Sequence, residues 1–271
     1  MTTRDGTGLR VLRWDAGGAP RFLLVHGLAS NALTWAPVGD RLHERGHAVA
    51  AVDLRGHGES DRPDHGYDFA TMATDLVDLL DALGWERAVV AGQSTGGNLA
   101  VELAATAPGR VAGVAGVDGG AIELRCRWRR WRRCARDLAP PPLEGTAFDD
   151  LREQLVADHP DWSVDAIEAT LANFERRPDG RARPRLTRER HLRILRALWE
   201  HLPSRVLGDL DTPVLLIPAD TGDHWVETKR AEMARASGAG RHVRVRWFSP
   251  ADHDVHLQQP DELAELLHDS F

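Results

Sequence analysis

A hydroxyl, an imidazole and a carboxylate are the groups from which a protein builds an activated oxygen nucleophile. The chain offers the first in Val89-Val90-Ala91-Gly92-Gln93-Ser94-Thr95-Gly96-Gly97-Asn98-Leu99. An apolar run ends in Gly-Gln-Ser-Thr-Gly and an Ala/Leu-rich helical pattern follows, which is G-x-S-x-G between a strand and a helix. Flanking glycines let the chain turn sharply, lifting the Ser94 hydroxyl off the end of a buried strand and onto a helix N-terminus. Free N–H groups and partial positive charge gather there. Ser94 is thus placed to attack a carbonyl, with the Thr95 N–H available to the developing oxyanion. The bland alternative is a glycine-rich turn whose serine merely caps the helix.

Such a serine needs elements that hold it and partners that activate it. Arg21-Phe22-Leu23-Leu24-Val25, Ala48-Val49-Ala50-Ala51-Val52, Val111 to Val117 and Pro213-Val214-Leu215-Leu216-Ile217 are short continuous apolar runs, the pattern of strands covered on both faces. Residues 8–14 and Val243, Val245 and Trp247 alternate with polar residues instead. Met72, Leu76, Leu79, Leu80 and Leu83 keep helical spacing, and Gly84 fits a helix stop. Helices are also expected over Trp35 to Arg45, from Glu227, and over Asp261 to His268. Strand and helix alternating through short links predict an α/β protein with a mostly parallel, doubly wound sheet. Reactive groups collect at the carboxyl ends of such strands, where His26-Gly27, Asp53 to Ser60, Ser94 and Asp118 all fall.

The rhythm breaks between residues 121 and 208. That stretch shows no convincing buried strand; Leu124, Trp128, Trp131, Ala135 and Leu138 form one helical stripe, and Leu192, Leu195, Trp199 and Leu202 another. The expectation is a core of residues 1–120 and 209–271 with a helical cap of 121–208 lying over the active edge.

The last predicted strand and helix enclose Ser249-Pro250-Ala251-Asp252-His253-Asp254-Val255-His256-Leu257-Gln258-Gln259-Pro260. With Val25-His26-Gly27-Leu28, Asp53-Leu54-Arg55-Gly56-His57-Gly58-Glu59-Ser60 and the turn at Ser94, this segment resembles the α/β-hydrolase superfamily, in its capped esterase-like branch. The matching segments span nearly the whole chain outside the cap, and in this order they are specific. The resemblance implies the chain order serine, acid, histidine, with His253 as general base and His256 as the nearby competitor. It implies the Leu28 N–H as second oxyanion donor, beside that of Thr95. His26 is read as bracing its loop, and Asp53, Arg55 and Ser60 as a bracing turn.

The acid is expected after the strand Val214–Ile217, in Pro218-Ala219-Asp220-Thr221-Gly222-Asp223-His224-Trp225. Asp223 is the first choice, although one residue later than the family pattern, and Asp220 the alternate. Asp118 or Glu123, after the preceding strand, stay open. Trp35, Trp128 and Trp131 are candidate pocket residues, against the plain reading of core packing. Arg125, Arg127, Arg129, Arg130, Arg132, Arg133 and Arg136 are either a solvated helix face or a source of one or two guanidiniums for an anionic substrate group.

These readings imply a hydrolase of an ester, lactone or thioester of a small molecule, working through an acyl-enzyme without a cofactor. Carbon–carbon bond hydrolysis, perhydrolysis and non-hydrolytic cyclase or ligand-binding roles share the scaffold. No clustered histidine or cysteine spacing suggests a metal, and no phosphate-binding glycine fingerprint is present. A formal charge of −7 opposes general nucleic-acid binding, and no apolar run approaches a membrane span. Cys126 and Cys134 read as lying on one helix about 12 Å apart, too far for a disulfide. With no signal-like N-terminal stretch, a reducing cytoplasm is the expected compartment, and a monomer or homodimer the expected state.

Overall fold

Strands apolar on both sides must be sandwiched, and the architecture follows from that. A computed structural model describes residues 1–143 and 145–271. Seven strands form one sheet in the order β1-β3-β2-β4-β5-β8-β9. They are β1 (Val11–Trp14), β2 (Gly18–Val25), β3 (His47–Val52), β4 (Ala88–Gln93), β5 (Val111–Val117), β8 (Val214–Ile217) and β9 (Val243–Val245). Only β1 runs antiparallel to its neighbour. Every position of β3 and β4 is buried, and the pleat sends alternate side chains to opposite faces. Leu23, Val25, Ala50, Val52 and Val90 enter one core. Phe22, Leu24, Val49, Ala51, Val89 and Ala91 enter the other.

Helices α1 (Ala36–Glu44), α2 (Phe69–Ala82) and α3 (Thr95–Thr106) are the crossovers between the first parallel strands. Because β3 lies on one side of β2 and β4 on the other, the winding direction reverses between β2 and β4. That reversal opens a crevice at the carboxyl ends of the two strands. The loop carrying Leu28 leaves β2 there, and Ser94 leaves β4.

Between β5 and β8 the chain forms α4 (Leu124–Arg127), α5 (Trp131–Asp137), α6 (Phe148–Asp158), α7 (Val164–Leu171), a hairpin of β6 (Phe174–Arg176) and β7 (Ala182–Pro184), α8 (Arg188–Glu200) and α9 (Pro203–Val206). Two features differ from the sequence reading. The stripe from Leu124 to Leu138 is not one helix: Trp128 adopts extended backbone (φ −129°, ψ 98°) and parts α4 from α5. Its indole N–H instead reaches Asp137 at 3.0 Å, and its carbonyl accepts the Trp199 indole N–H at 2.8 Å. Cys126 and Cys134 consequently lie on different helices. The hairpin was also unmarked by any apolar run; it folds around Arg177 to Gly180, where Gly180 takes φ 77°. The chain ends in α10 (Trp225–Ala239), α11 (Val255–Gln258) and α12 (Pro260–Ser270). Among the described residues no helix is long and apolar enough to cross a membrane.

Three buried imidazoles support the loops at the active edge. His26 donates from Nδ1 to the Gly27 carbonyl at 2.7 Å and accepts the Leu54 N–H at Nε2, 3.0 Å away. His57 donates from Nδ1 to the Arg55 carbonyl at 3.1 Å and accepts the Ala29 N–H at 3.2 Å. Each ring bridges the loops after β2 and β3, and the partners assign each to its neutral Nδ1–H tautomer. His256 packs its ring 4.8 Å from Trp35. Burial pushes His26 and His256 down to about 4, and His57 down to about 3.

A depressed histidine favours the unfolded chain once pH drops below the unfolded value of about 6.5. The stability of the fold should therefore decline as pH falls from 7 toward 5, with these three rings together approaching about 4 kcal/mol per pH unit. Urea titrations at stepped pH measure this. His256→Phe, which keeps a ring against Trp35 and removes one proton site, should flatten the slope by about a third. A level stability from pH 7 to 5 would contradict the neutral burial of these rings.

Candidate active site

The turn at Ser94 is built by close backbone approach. A Cβ on Gly96 would sit 2.3 Å from the Val25 carbonyl oxygen, so only glycine lets α3 start against the end of β2. Ser94 is held at φ 52°, ψ −118°, outside the regions ordinary residues prefer. Such positions cost of order 1–3 kcal/mol and persist where the surroundings over-determine them. Here the Ser94 N–H is fixed on the Val117 carbonyl at 2.9 Å. A Cβ on Gly119 would meet the Ser94 carbonyl oxygen at 2.2 Å, so the next strand end is pressed against the same turn. Among the described residues, no protein acceptor engages the Leu28 or Thr95 amides. Both belong to the segments that converge on Ser94, since the Cα of Gly27 faces Ser94 Cβ closely enough that an added methyl would lie 3.2 Å from it.

His253 meets a carboxylate, but not one of the two that sequence spacing favours. Nδ1 of His253 lies 2.6 Å from Oδ2 of Asp118, the residue that follows β5. Asp118 also has positive φ, 42°, and occupies on β5 the position that Ser94 occupies on β4, because Gln93 and Val117 are register partners. Asp118 Oδ1 accepts the Ala219 N–H at 3.0 Å, and Oδ2 accepts Lys229 Nζ at 2.8 Å. Asn98, buried on α3, clamps the following loop by donating to the Ile122 carbonyl at 2.9 Å and accepting the Gly120 N–H at 2.9 Å.

The carboxylates favoured from sequence serve elsewhere. Asp223 accepts the Thr221 hydroxyl and the Trp225 N–H, both at 2.8 Å, and so caps the start of α10. Asp220 accepts the Gly222 N–H at 3.2 Å and the Ser249 hydroxyl at 3.2 Å. Glu123 accepts the Ser204 N–H at 3.0 Å. Neither Asp223 nor Asp220 touches His253. The signal that identifies Asp118 is its position directly after a buried strand and before Gly119-Gly120; the family pattern drew the expectation one strand further.

Burial raises the Asp118 carboxyl, but the bonds from His253 and Lys229 outweigh it and hold the group below the usual range. Desolvation lowers the His253 imidazole, and Asp118 more than reverses this, leaving it raised. The His253 side chain is half exposed. Among the described residues Ser94 Oγ and His253 Nε2 have no hydrogen-bond partner. The two loops are tied one residue away, where Gln93 Nε2 donates to the His253 carbonyl at 3.2 Å. His256 makes no such approach; among the described residues neither of its nitrogens has a partner.

A cavity of about 360 Å³ lies against His253 and Asp118, walled by Trp128, Trp225, Lys229 and Met233. A smaller one of about 160 Å³ lies by Ala29, Ser30 and His57, under Phe174, Leu186 and His191. Trp128 lines the first of these cavities, whose walls include His253 and Asp118 but not Ser94. Trp35 does not: it is wholly buried in the core beneath β2 and β3, because a flat apolar ring fills the space between the sheet and His256. Trp131 lies away from the cleft, in a surface hollow with Leu192 and Arg196, packed on Trp199. Of the seven arginines all but Arg127 are exposed. Arg125 stacks over Trp199 at 4.3 Å. Arg127 reaches the cavity wall, but Glu232 holds it from both Nε and Nη2, at 2.9 and 2.6 Å. The cluster is a solvated face, and none of its members is a free guanidinium in the cleft.

Asp118→Asn should lower the His253 pKa, because the opposing charge is lost while the desolvation stays. Asp223→Asn should leave it in place. Proton NMR titration of the imidazole reads both; a shift produced by Asp223→Asn instead would reassign the partner.

Among the described residues there is no group of three His, Cys, Asp or Glu arranged to hold a metal. A family model described as the alpha/beta hydrolase fold matches residues 20–260. The 2-(acetamidomethylene)succinate hydrolase of Mesorhizobium japonicum is 28% identical over 253 residues, 91% of this chain and 86% of its own. An esterase of Mycobacterium tuberculosis is 28% identical over 263 residues, covering 96% and 85%. The crystal structure of E-2-(acetamidomethylene)succinate hydrolase superposes with a TM-score of 0.77 at 24% identity, over 97% of this chain and 94% of that one. Three uncharacterised mycobacterial relatives are 39% identical over 107 residues, and the match spans only 31% of their length. With the family model covering most of its length and the sheet wound in this order, the chain belongs to the α/β-hydrolase family.

Proposed function

We propose that the protein is a serine hydrolase that cleaves an ester, lactone or thioester of a small molecule through an acyl-enzyme. The observation that carries this reading is the His253–Asp118 pair at 2.6 Å, anchored to the strand end beside the strained turn of Ser94. In this reading the triad is Ser94, His253 and Asp118. Ser94 Oγ attacks the carbonyl carbon while His253 Nε2 takes its proton. The structure holds no Oγ–Nε2 hydrogen bond; in this reading it forms when substrate is bound, since catalytic hydrogen bonds are often completed only in the substrate complex. Asp118 keeps the imidazole in the tautomer with Nδ1–H and stabilises the imidazolium. The Leu28 and Thr95 amides receive the oxyanion of the tetrahedral intermediate. Its collapse breaks the bond to the alcohol or thiol, which leaves with the proton from His253. Water then attacks the acyl carbon with His253 as base, releasing the acid and restoring Ser94.

The known hydrolases among the relatives support bond hydrolysis; the ester-type bond rests on the site itself. The inserted segment 121–208 acts as a cap in this account. Trp128, together with Trp225 and Met233, offers an apolar wall to the substrate beside His253. The small-molecule partner is set by those walls, and no cofactor enters the scheme.

A fluorophosphonate probe should label Ser94, and short p-nitrophenyl esters should show a burst of product. Ser94→Ala should abolish labelling and lower turnover by about four to six orders of magnitude. Asp118→Asn should lower it by about three to four orders, whereas Asp223→Asn and Asp220→Asn should stay within a few-fold. Full activity in Ser94→Ala would defeat the acyl-enzyme; full activity in Asp118→Asn would defeat the assignment of the acid. Binding of an ester without any turnover would favour a receptor role on the same fold.

A further inference from the structure

The chain holds 34 basic Lys and Arg residues, and Lys229 is its sole lysine. It sits on α10, outside every motif, and its ammonium is nearly buried. Nζ donates to Asp118 Oδ2 at 2.8 Å, the same oxygen that faces His253 Nδ1, and to the Ala219 carbonyl at 2.9 Å. The second contact fixes it to the loop whose Ala219 N–H holds the other Asp118 oxygen at 3.0 Å. One carboxylate is therefore gripped from three directions: an imidazole and an ammonium on one oxygen, a backbone amide on the other.

The choice of lysine has a physical reason. An ammonium is a compact point charge that donates to single oxygens at independent angles, whereas a guanidinium is a planar fork suited to engaging both oxygens of a carboxylate. Arg127 shows that fork on Glu232, in the same cavity wall. A fork on Asp118 would claim both oxygens and displace the Ala219 N–H or the imidazole. In a chain otherwise built with arginine, this position alone carries the residue that fits it.

We propose that Lys229 is a positioning residue of the triad, which keeps Asp118 ionised and oriented and sets the pH above which His253 is a competent base. The proposal rests on the triad reading above. Its sign follows from geometry. Two groups bonded to one oxygen stand no more than about 5 Å apart, so the ammonium repels a second positive charge on the imidazole. Protonation of His253 is opposed, and the neutral base survives to lower pH than Asp118 alone would allow. The other charged or titratable groups around His253 are Asp252 and Asp254 in its own loop, His256 on α11, Asp223 and the Arg127–Glu232 pair across the cavity, and His159, whose Nδ1 lies 3.8 Å from Asp252. Of these, Asp223 also feels the Lys229 charge, and Asp223→Asn in the Lys229→Met background separates that contribution from the direct one.

The test is the pH profile of kcat/KM for wild type, Lys229→Met and Lys229→Arg. In Lys229→Met the rise of activity with pH should move upward by about one unit, beyond any fall in the plateau. Lys229→Arg keeps the charge and misfits the site, so its plateau should drop while the rise stays near the wild-type pH. A Lys229→Met profile that superposes on wild type after scaling overturns the proposal, as does an equal displacement in Lys229→Arg, which would mark the effect as one of shape. NMR titration of His253 in a Ser94→Ala background gives the same shift without turnover. It therefore separates failure of the Lys229 assignment from failure of the hydrolase reading. Should Lys229→Met not fold, Lys229→Gln serves the same comparison.

Discussion

Two neighbouring parallel strands end in register, and each hands the chain to a residue forced into positive φ. This constraint governs the site. β4 ends at Gln93 and β5 at Val117, paired across the ladder, so Ser94 and Asp118 emerge side by side. The bond from the Ser94 amide to the Val117 carbonyl locks their relative height. A nucleophile and a carboxylate set on two rungs of one ladder can be bridged by a single imidazole arriving from a third segment. The sheet supplies distance control that flexible loops could not, since displacing either group would break ladder hydrogen bonds.

The electrostatics of the histidines depend on who meets each ring. His26, His57 and His256 are as enclosed as side chains can be, and none has a carboxylate partner, so burial dominates and all three are lowered. His253 also suffers desolvation, yet its hydrogen bond to Asp118 reverses the sign. The contrast between His253 and His256, three residues apart, shows that proximity in sequence decides nothing here. One ring turns to a charged oxygen and the other to the face of Trp35. The neutral rings of His26 and His57 serve as two-ended brackets, and that of His256 as packing against Trp35; the base role proposed for His253 calls for the counter-charge that Asp118 supplies.

Ser94, His253 and the strand runs were legible in the sequence because their signals are local. A glycine pair around a serine, an apolar run of strand length, and a histidine between the last strand and the last helix each report on backbone geometry within a few residues. The acid was not legible in the same way. Asp118, Asp220 and Asp223 all follow strands, and their separation depends on where the loops come to rest in space. Trp128 and Trp131 lie three residues apart in one apparent stripe, and only the break at Trp128 decides that one faces the cleft and the other a surface hollow. Trp35 carries no local mark that distinguishes core from pocket. Lys229 lies in no motif, and its one signal was rarity in a chain of arginines.

Placing the carboxylate on β5 changes what the end of β8 is for. The loop after β8 gives no acid to His253, yet nearly every polar group in it supports the pair. Ala219 presents its N–H to Asp118 and its carbonyl to Lys229. Asp220 accepts the Ser249 hydroxyl, its N–H bonds the Phe248 carbonyl at 2.8 Å, and its carbonyl takes the Ala251 N–H at 3.1 Å. The loop that carries His253 is thereby stitched to β8. Asp223 caps the helix on which Lys229 rides. The two aspartates that sequence spacing favours are thus structural supports, one for the base and one for the ammonium beneath the acid. In the proposed triad, neither carboxylate could turn to His253 without giving up the bonds that hold its own loop, which is the physical reason that reading takes its acid from one strand earlier.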